Sequence, residues 1–159
     1  MTTRMTLSQF LARPTAEAPV AGRPPVLGAL PVDAAQFSGV RYDAPADYQV
    51  RELRGPKMRT VAELFDEFAA AFQFPYYFGA NKDAFDEALR DLDDVVGDAP
   101  GYVAVVRAAA ELLAEQPTER AWFEAAVRDA AAYWGRREVA FRVVLQGDPD
   151  DFAAIALSA

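Results

Sequence analysis

From Tyr48 onward the chain alternates in a way that can be read directly. Tyr48-Gln49-Val50-Arg51-Glu52-Leu53 repeats with a period of two, which predicts a strand, and Gly55-Pro56 ends it. The period then lengthens. Val61, Leu64, Phe65, Phe68 and Phe72 recur at helical spacing. They follow Thr60-Val61-Ala62-Glu63, in which Thr and Glu can each satisfy a free amide of a first helical turn. A helix is predicted to about Phe72, its aromatic stripe turned to the core, and Pro75 stops it. Asn81 suits the N-cap of a second helix. There Phe85, Ala88, Leu89 and Leu92 share one side, while Asp83, Glu87, Arg90, Asp91 and Asp94 share the other. Further on, residues 101–106 predict a buried strand and residues 107–115 a short helix. Thr118 is expected to cap a longer helix reaching Trp134, with Gly135 at its end, before a strand at 139–146. Trp122, Trp134, Tyr133 and Phe141 are assigned to packing. The order βααβααβ implies an α/β fold with parallel strands joined by right-handed helical crossovers.

Before residue 47 the pattern dissolves. Six of the eleven prolines fall there, in a stretch rich in Ala and Gly. Residues 1–46 therefore read as a Pro/Ala-rich N-terminal arm, with a short helix across residues 6–12 as its one ordered candidate. Residues 47–147 form the expected domain, and 148–159 a C-terminal tail.

Composition narrows the chemistry. The chain has no His and no Cys, which removes the His base of a triad, any thiolate nucleophile and nearly every zinc site. The three serines, Ser8, Ser38 and Ser158, all lie in peripheral segments. No catalytic residue, metal or cofactor is expected, and an enzyme working through paired carboxylates such as Asp83 with Glu87 is the minority reading. The net charge of −8 argues against nucleic acid as a direct ligand and is compatible with a basic protein partner. No apolar run approaches the length of a membrane span, and residues 1–12 carry no secretory pattern. The expected location is cytoplasmic.

Residues 75–94 hold the most information. Acids near a helix N-terminus complement its dipole, which accounts for Asp83 and Asp86. Glu87 and the acids beyond it sit toward the negative end and repel one another. Aromatics beside a Gly turn precede them. Acids next to aromatics fit a cationic partner, since charge steers the encounter and rings supply rigid contact area; a solvated helix face is the competing reading.

The string Phe74-Pro75-Tyr76-Tyr77-Phe78-Gly79-Ala80-Asn81-Lys82-Asp83-Ala84-Phe85-Asp86-Glu87-Ala88-Leu89 resembles the central motif of the barstar family. The match runs without gaps back to Gly55 and covers roughly residues 48–146. The resemblance implies a three-stranded parallel sheet packed against helices, and a role as an intracellular inhibitor of a basic, secreted ribonuclease or toxin, an antitoxin or immunity protein. It also implies roles. Tyr77 would stack on the nuclease, Gly79 would allow the turn, and Asn81 would cap the helix. Asp83 would be the first inhibitory carboxylate and Glu87 the phosphate mimic, with Asp129 a further acid from the last long helix. The chain departs from the pattern at Glu87, where Asp is usual, and at Tyr76, Lys82 and Asp86. A barstar-like interaction module with a different basic partner, not a nuclease, is the alternative these departures leave open.

Overall fold

The computed structural model describes residues 5–14, 25–148 and 152–159. Residues 1–4 and 15–24 of the expected arm, and 149–151 of the expected tail, lie outside the described residues. The described part builds one parallel sheet with helices on both faces. Its strands are β1 (Met5–Thr6), β2 (Leu27–Leu30), β3 (Gln49–Arg54), β4 (Gly101–Arg107), β5 (Ala140–Gln146) and β6 (Ile155–Ser158), in the order β1-β6-β2-β5-β4-β3. Every recorded pairing is parallel.

The expectation of three strands is therefore corrected to six among the described residues. β3, β4 and β5 are the three foreseen. Residues from the expected arm and tail add β1, β2 and β6, because three parallel strands alone would leave the outer edge of β5 unpaired and one sheet face bare. β2 fills that edge from Leu27 opposite Val143 to Leu30 opposite Gln146.

The helices are α1 (Leu7–Leu11), α2 (Ala34–Phe37), α3 (Val40–Asp43), α4 (Val61–Phe72), α5 (Lys82–Arg90), α6 (Leu92–Val96) and α7 (Arg120–Gly135). One face of the sheet, with Leu53, Ala104, Val106 and Phe141, packs under α4, α5 and α7 through Leu64, Phe68, Phe85, Leu89 and Phe123. The other face, with Val103, Val105 and Val144, is covered by Phe10, Leu11, Phe37 and Val40. The alternation along β4 and β5 divides those two sets, as a sheet buried on both sides requires.

The helix expected near residues 6–12 forms as α1, with Thr6 and Gln9 exchanging the two hydrogen bonds of a capping box. Two buried groups tie it down. The Tyr48 hydroxyl donates to the Leu11 carbonyl (2.6 Å), and Arg142 Nε donates to the Phe10 carbonyl (2.9 Å). Burial pushes the Arg142 pKa down to about 10.

Two helical expectations fail locally. The short helix at 107–115 is instead a 3-10 turn at Ala109–Glu111 between residues of positive φ, Ala108 and Leu113. Its amides are drawn elsewhere: Leu113 N–H donates to the Met58 carbonyl (2.7 Å) and Glu115 N–H to the Arg59 carbonyl (3.0 Å). Thr118 lies within the 3-10 turn Pro117–Glu119 and caps nothing; Glu119 occupies the N-cap of α7, but its side chain makes no capping bond.

Candidate partner-binding face

The site begins where α4 stops. Gln73 takes the left-handed conformation (φ 56°) and bonds back to the Ala69 carbonyl. The next residues divide by role. Phe74 and Phe78 turn inward, their rings 5.0 Å apart, with Phe78 also edge-on to Phe65 at 6.0 Å. Between them a tight turn closes through Phe78 N–H to the Pro75 carbonyl (2.9 Å). At its tip stand Tyr76 and Tyr77, 100% and 75% exposed, their rings perpendicular at 5.6 Å. Large aromatic surface of this kind normally goes to the core or to an interface. Here two Phe anchors hold two Tyr rings out in water.

Asn81 caps α5, its Oδ1 accepting from Ala84 N–H at 2.8 Å. The left-handed residue of this turn is Ala80 (φ 49°), and Gly79 is not in that region. What Gly79 supplies is space: a Cβ there would lie 3.0 Å from Asn81 Nδ2, against the capping side chain. Phe85 and Leu89 bury completely and fix the helix to the core. Trp134 Nε1 donates to the Leu89 carbonyl (2.8 Å) and ties its C-terminal end to α7. The helix is thus a rigid platform.

The six residues singled out from sequence fall into two neighbouring groups around α5. Tyr77, Gly79 and Glu87 line one groove of about 120 Å³, together with Ala84, Ala88 and Asp94. Asp83 and Asp129, both exposed, approach Asp86 on the side of α5 next to α7. Asn81 acts as the cap between loop and helix.

Electrostatics set this face apart. Burial raises the pKa of Asp86, and the charges of Asp129 and Asp83 raise it further, against the lowering effect of Arg90. Asp86 Oδ1 is buried with no hydrogen-bond partner. Asp91 is raised too, first by burial and then by Asp94, Asp93 and Glu87. Lys82 does not offset these acids. Its ammonium is held 2.7 Å from Glu119 and 5.2 Å from the centre of the Trp122 ring, engaged toward the α7 side. The cation that departs from the family pattern is therefore neutralised within the chain.

Asp91 and Asp94 line the groove, whereas the sequence pattern places them on the polar side of one continuous helix. The helix in fact breaks at Asp91 (φ −112°, ψ 21°) and restarts as α6. The signal was present: Asp91-Leu92-Asp93-Asp94 reads as a fresh helix start, with acids in the first turn. Among the described residues no group of acids is arranged to hold a metal ion, and no helix is long and apolar enough to cross a membrane.

The described residues thus form an α/β domain with an acidic helix beside two exposed tyrosines. Comparison with family models places residues 48–146 in Barstar (barnase inhibitor), and the chain belongs to that family. The matched region runs from the start of β3 to the end of β5, so it includes the turn and α5. Members of this family are ribonuclease inhibitors, and the chain is inhibitor-like in that general sense. No curated protein matches the chain significantly.

Proposed function

We propose that the chain blocks a basic, secreted ribonuclease by entering its phosphate-binding cleft with the Tyr76–Tyr77 turn and the acidic side of α5, protecting the producing cell from inside as an antitoxin or immunity protein. It performs no chemistry of its own. The observation that carries this reading is the pairing of rigidity with exposure: Phe74 and Phe78 bolt the turn to the core while Tyr77, Glu87 and Asp91 line one open groove. A cleft shaped for phosphate offers several cationic donors. A carboxylate on a fixed helix meets them with little loss of conformational entropy and forms charge-assisted hydrogen bonds. Glu87 is the phosphate mimic, Tyr77 the stacking surface, and Asp83 and Asp129 contribute further carboxylates. Asn81 and Gly79 keep turn and helix in register.

Calorimetric titration against the basic secreted ribonuclease of the producing organism tests the proposal, with Glu87→Ala as control. Tight binding that stops RNA cleavage and is lost in the variant is the expected result. No binding by the wild-type chain would move the function to a basic partner that is not a nuclease. Binding equally tight in Glu87→Ala would remove Glu87 from the interface.

A further inference from the structure

A second surface, at the edge of the sheet, carries cationic side chains. β3 is the last strand of the sheet among the described residues, so one of its edges faces no other described strand. Its register with β4 is continuous from Gln49 opposite Tyr102 to Arg54 opposite Arg107, with no bulge. In such a strand the N–H and C=O groups of alternate residues point to the same edge. The outward set is identified at both ends. Arg54 N–H donates to Glu67 Oε2 (2.8 Å), and Tyr48 N–H donates to the Pro45 carbonyl (3.0 Å). By the same alternation, the backbone groups of Val50 and Glu52 point away from β4. The edge is closed at each end and open in the middle.

Beside this opening runs a groove of about 490 Å³ lined by Arg41, Tyr42, Pro45, Gln49, Val50 and Arg51. Both cations lack an acidic partner among the described residues. Arg51 Nη2 bonds only to Gln49 Oε1 (3.2 Å), and its Nε is buried with no partner. The Arg41 guanidinium lies 5.0 Å from the ring of Tyr42, itself 76% exposed. The neighbouring charges at the far end are already paired, Arg54 with Glu67 and Arg107 with Glu52. Asp43 and Asp47 belong to the adjoining segment but do not line the groove. In a chain of net charge −8, two unpaired arginines against an open strand edge form a cationic slot.

We propose that the free edge of β3 is a second docking site, which takes an extended acidic segment of a partner protein as an added strand. Main-chain hydrogen bonds to Val50 and Glu52 supply the strand pairing, and carboxylates of the segment meet Arg51 and Arg41, which selects acidic over basic sequences. The site is independent of the α5 face. A chain could hold a basic partner there and an acidic segment here at the same time. The competing account is that Arg51, Glu52 and Arg54 serve only to keep the edge from pairing with anything.

The test uses the full chain and two short capped peptides, one alternating Glu with Thr and one alternating Lys with Thr. Amide NMR and hydrogen exchange follow each titration. The Glu peptide is expected to shift and protect the amides of Val50 and Glu52, with the Lys peptide much weaker. The Arg41→Gln/Arg51→Gln double variant should lose about tenfold or more in affinity. Val50→Pro removes an outward N–H without touching the β3–β4 ladder, so it should abolish protection of the edge. Should the double variant be unfolded, Arg41→Gln alone, at an exposed position, reads the same contact. Absence of Glu-peptide binding up to about 1 mM, equal binding of the Lys peptide, or protection mapped away from β3 would overturn the proposal.

Discussion

Glu67 on α4 and Asp86 on α5 are carboxylates on helices packed against one core, and folding treats them in opposite ways. Glu67 accepts from the Arg54 backbone N–H, from Nε and from Nη2, all within 2.8–2.9 Å. Those bonds hold its pKa below the usual carboxylate range. Asp86 keeps one buried oxygen without a partner, and its pKa is raised by burial and by Asp129 and Asp83. Glu67 ties α4 to the edge of the sheet. Among the described residues, no ion pair joins Asp83, Asp86, Glu87 or Asp91 to another element. The chain thus satisfies one carboxylate three times over and leaves a buried oxygen of another, set among like charges, without a partner.

The comparison breaks most decisively at Glu87. If the α5 acids serve a partner, Glu87→Ala should cost about 3 kcal/mol of binding, on the order of a hundredfold in affinity, by leaving buried cations of the partner unpaired. Its melting temperature should be unchanged or slightly higher, since one repelling charge is gone. Titration and thermal unfolding of the same variant separate the two effects. Equal losses of binding and stability would make Glu87 structural and erase the distinction from Glu67.

The mirror experiment is Glu67→Ala. Here stability should fall by about 2 kcal/mol, because a charged acceptor of several hydrogen bonds is removed, while binding at α5 stays the same. The pH dependence has a definite sign. A carboxylate with a depressed folded pKa stabilises above its unfolded value near 4, and that contribution is lost as pH falls through the folded value. The gap between wild type and Glu67→Ala in urea midpoint should thus be full at neutral pH and close in strong acid. A gap of constant size across this range would show that packing of the side chain, and not its ionised form, is what α4 needs.

Much of this contrast could be read in advance, because local signals wrote it. Thr60 with Glu63, Asn81 at the cap, and Phe85 with Leu89 on the buried side are short-range patterns, and the helices follow them. What could not be read was set by distant partners. Leu27-Gly28-Ala29-Leu30 is four residues among prolines, buried throughout and therefore without alternation; only the open edge of β5 makes it a strand. β1 is two residues long and exists through β6. Residues 107–115 have helical composition, but Met58 and Arg59 take their amides. At the site, the four aromatics of the turn look alike in sequence. Their division into Phe anchors and exposed Tyr rings depends on Phe65 and Phe72 waiting in the core to receive Phe74 and Phe78. The break at Asp91 was written locally, as acids in a fresh first turn, but the apolar side that continues through Leu92 masked it.

The smallest expected effect gives the finest test of the comparison. Asp86→Asn keeps the shape of the side chain and removes a charge that is penalised first by burial and then by Asp129 and Asp83. At neutral pH the variant should be more stable than wild type by about 0.5 kcal/mol, the scale of a like-charge contact on a helix surface. Its pH profile should run opposite to that of Glu67. A carboxyl whose folded pKa is raised contributes stability that is complete below the unfolded value near 4 and is lost as pH rises through the folded value. The advantage of Asp86→Asn should therefore be absent in acid and should open as pH climbs toward neutrality. Urea midpoints of both proteins across that range measure it. An advantage already present in acid would trace the gain to the amide's hydrogen bonding, and the burial and repulsion of the Asp86 charge would then play no part in shaping this face.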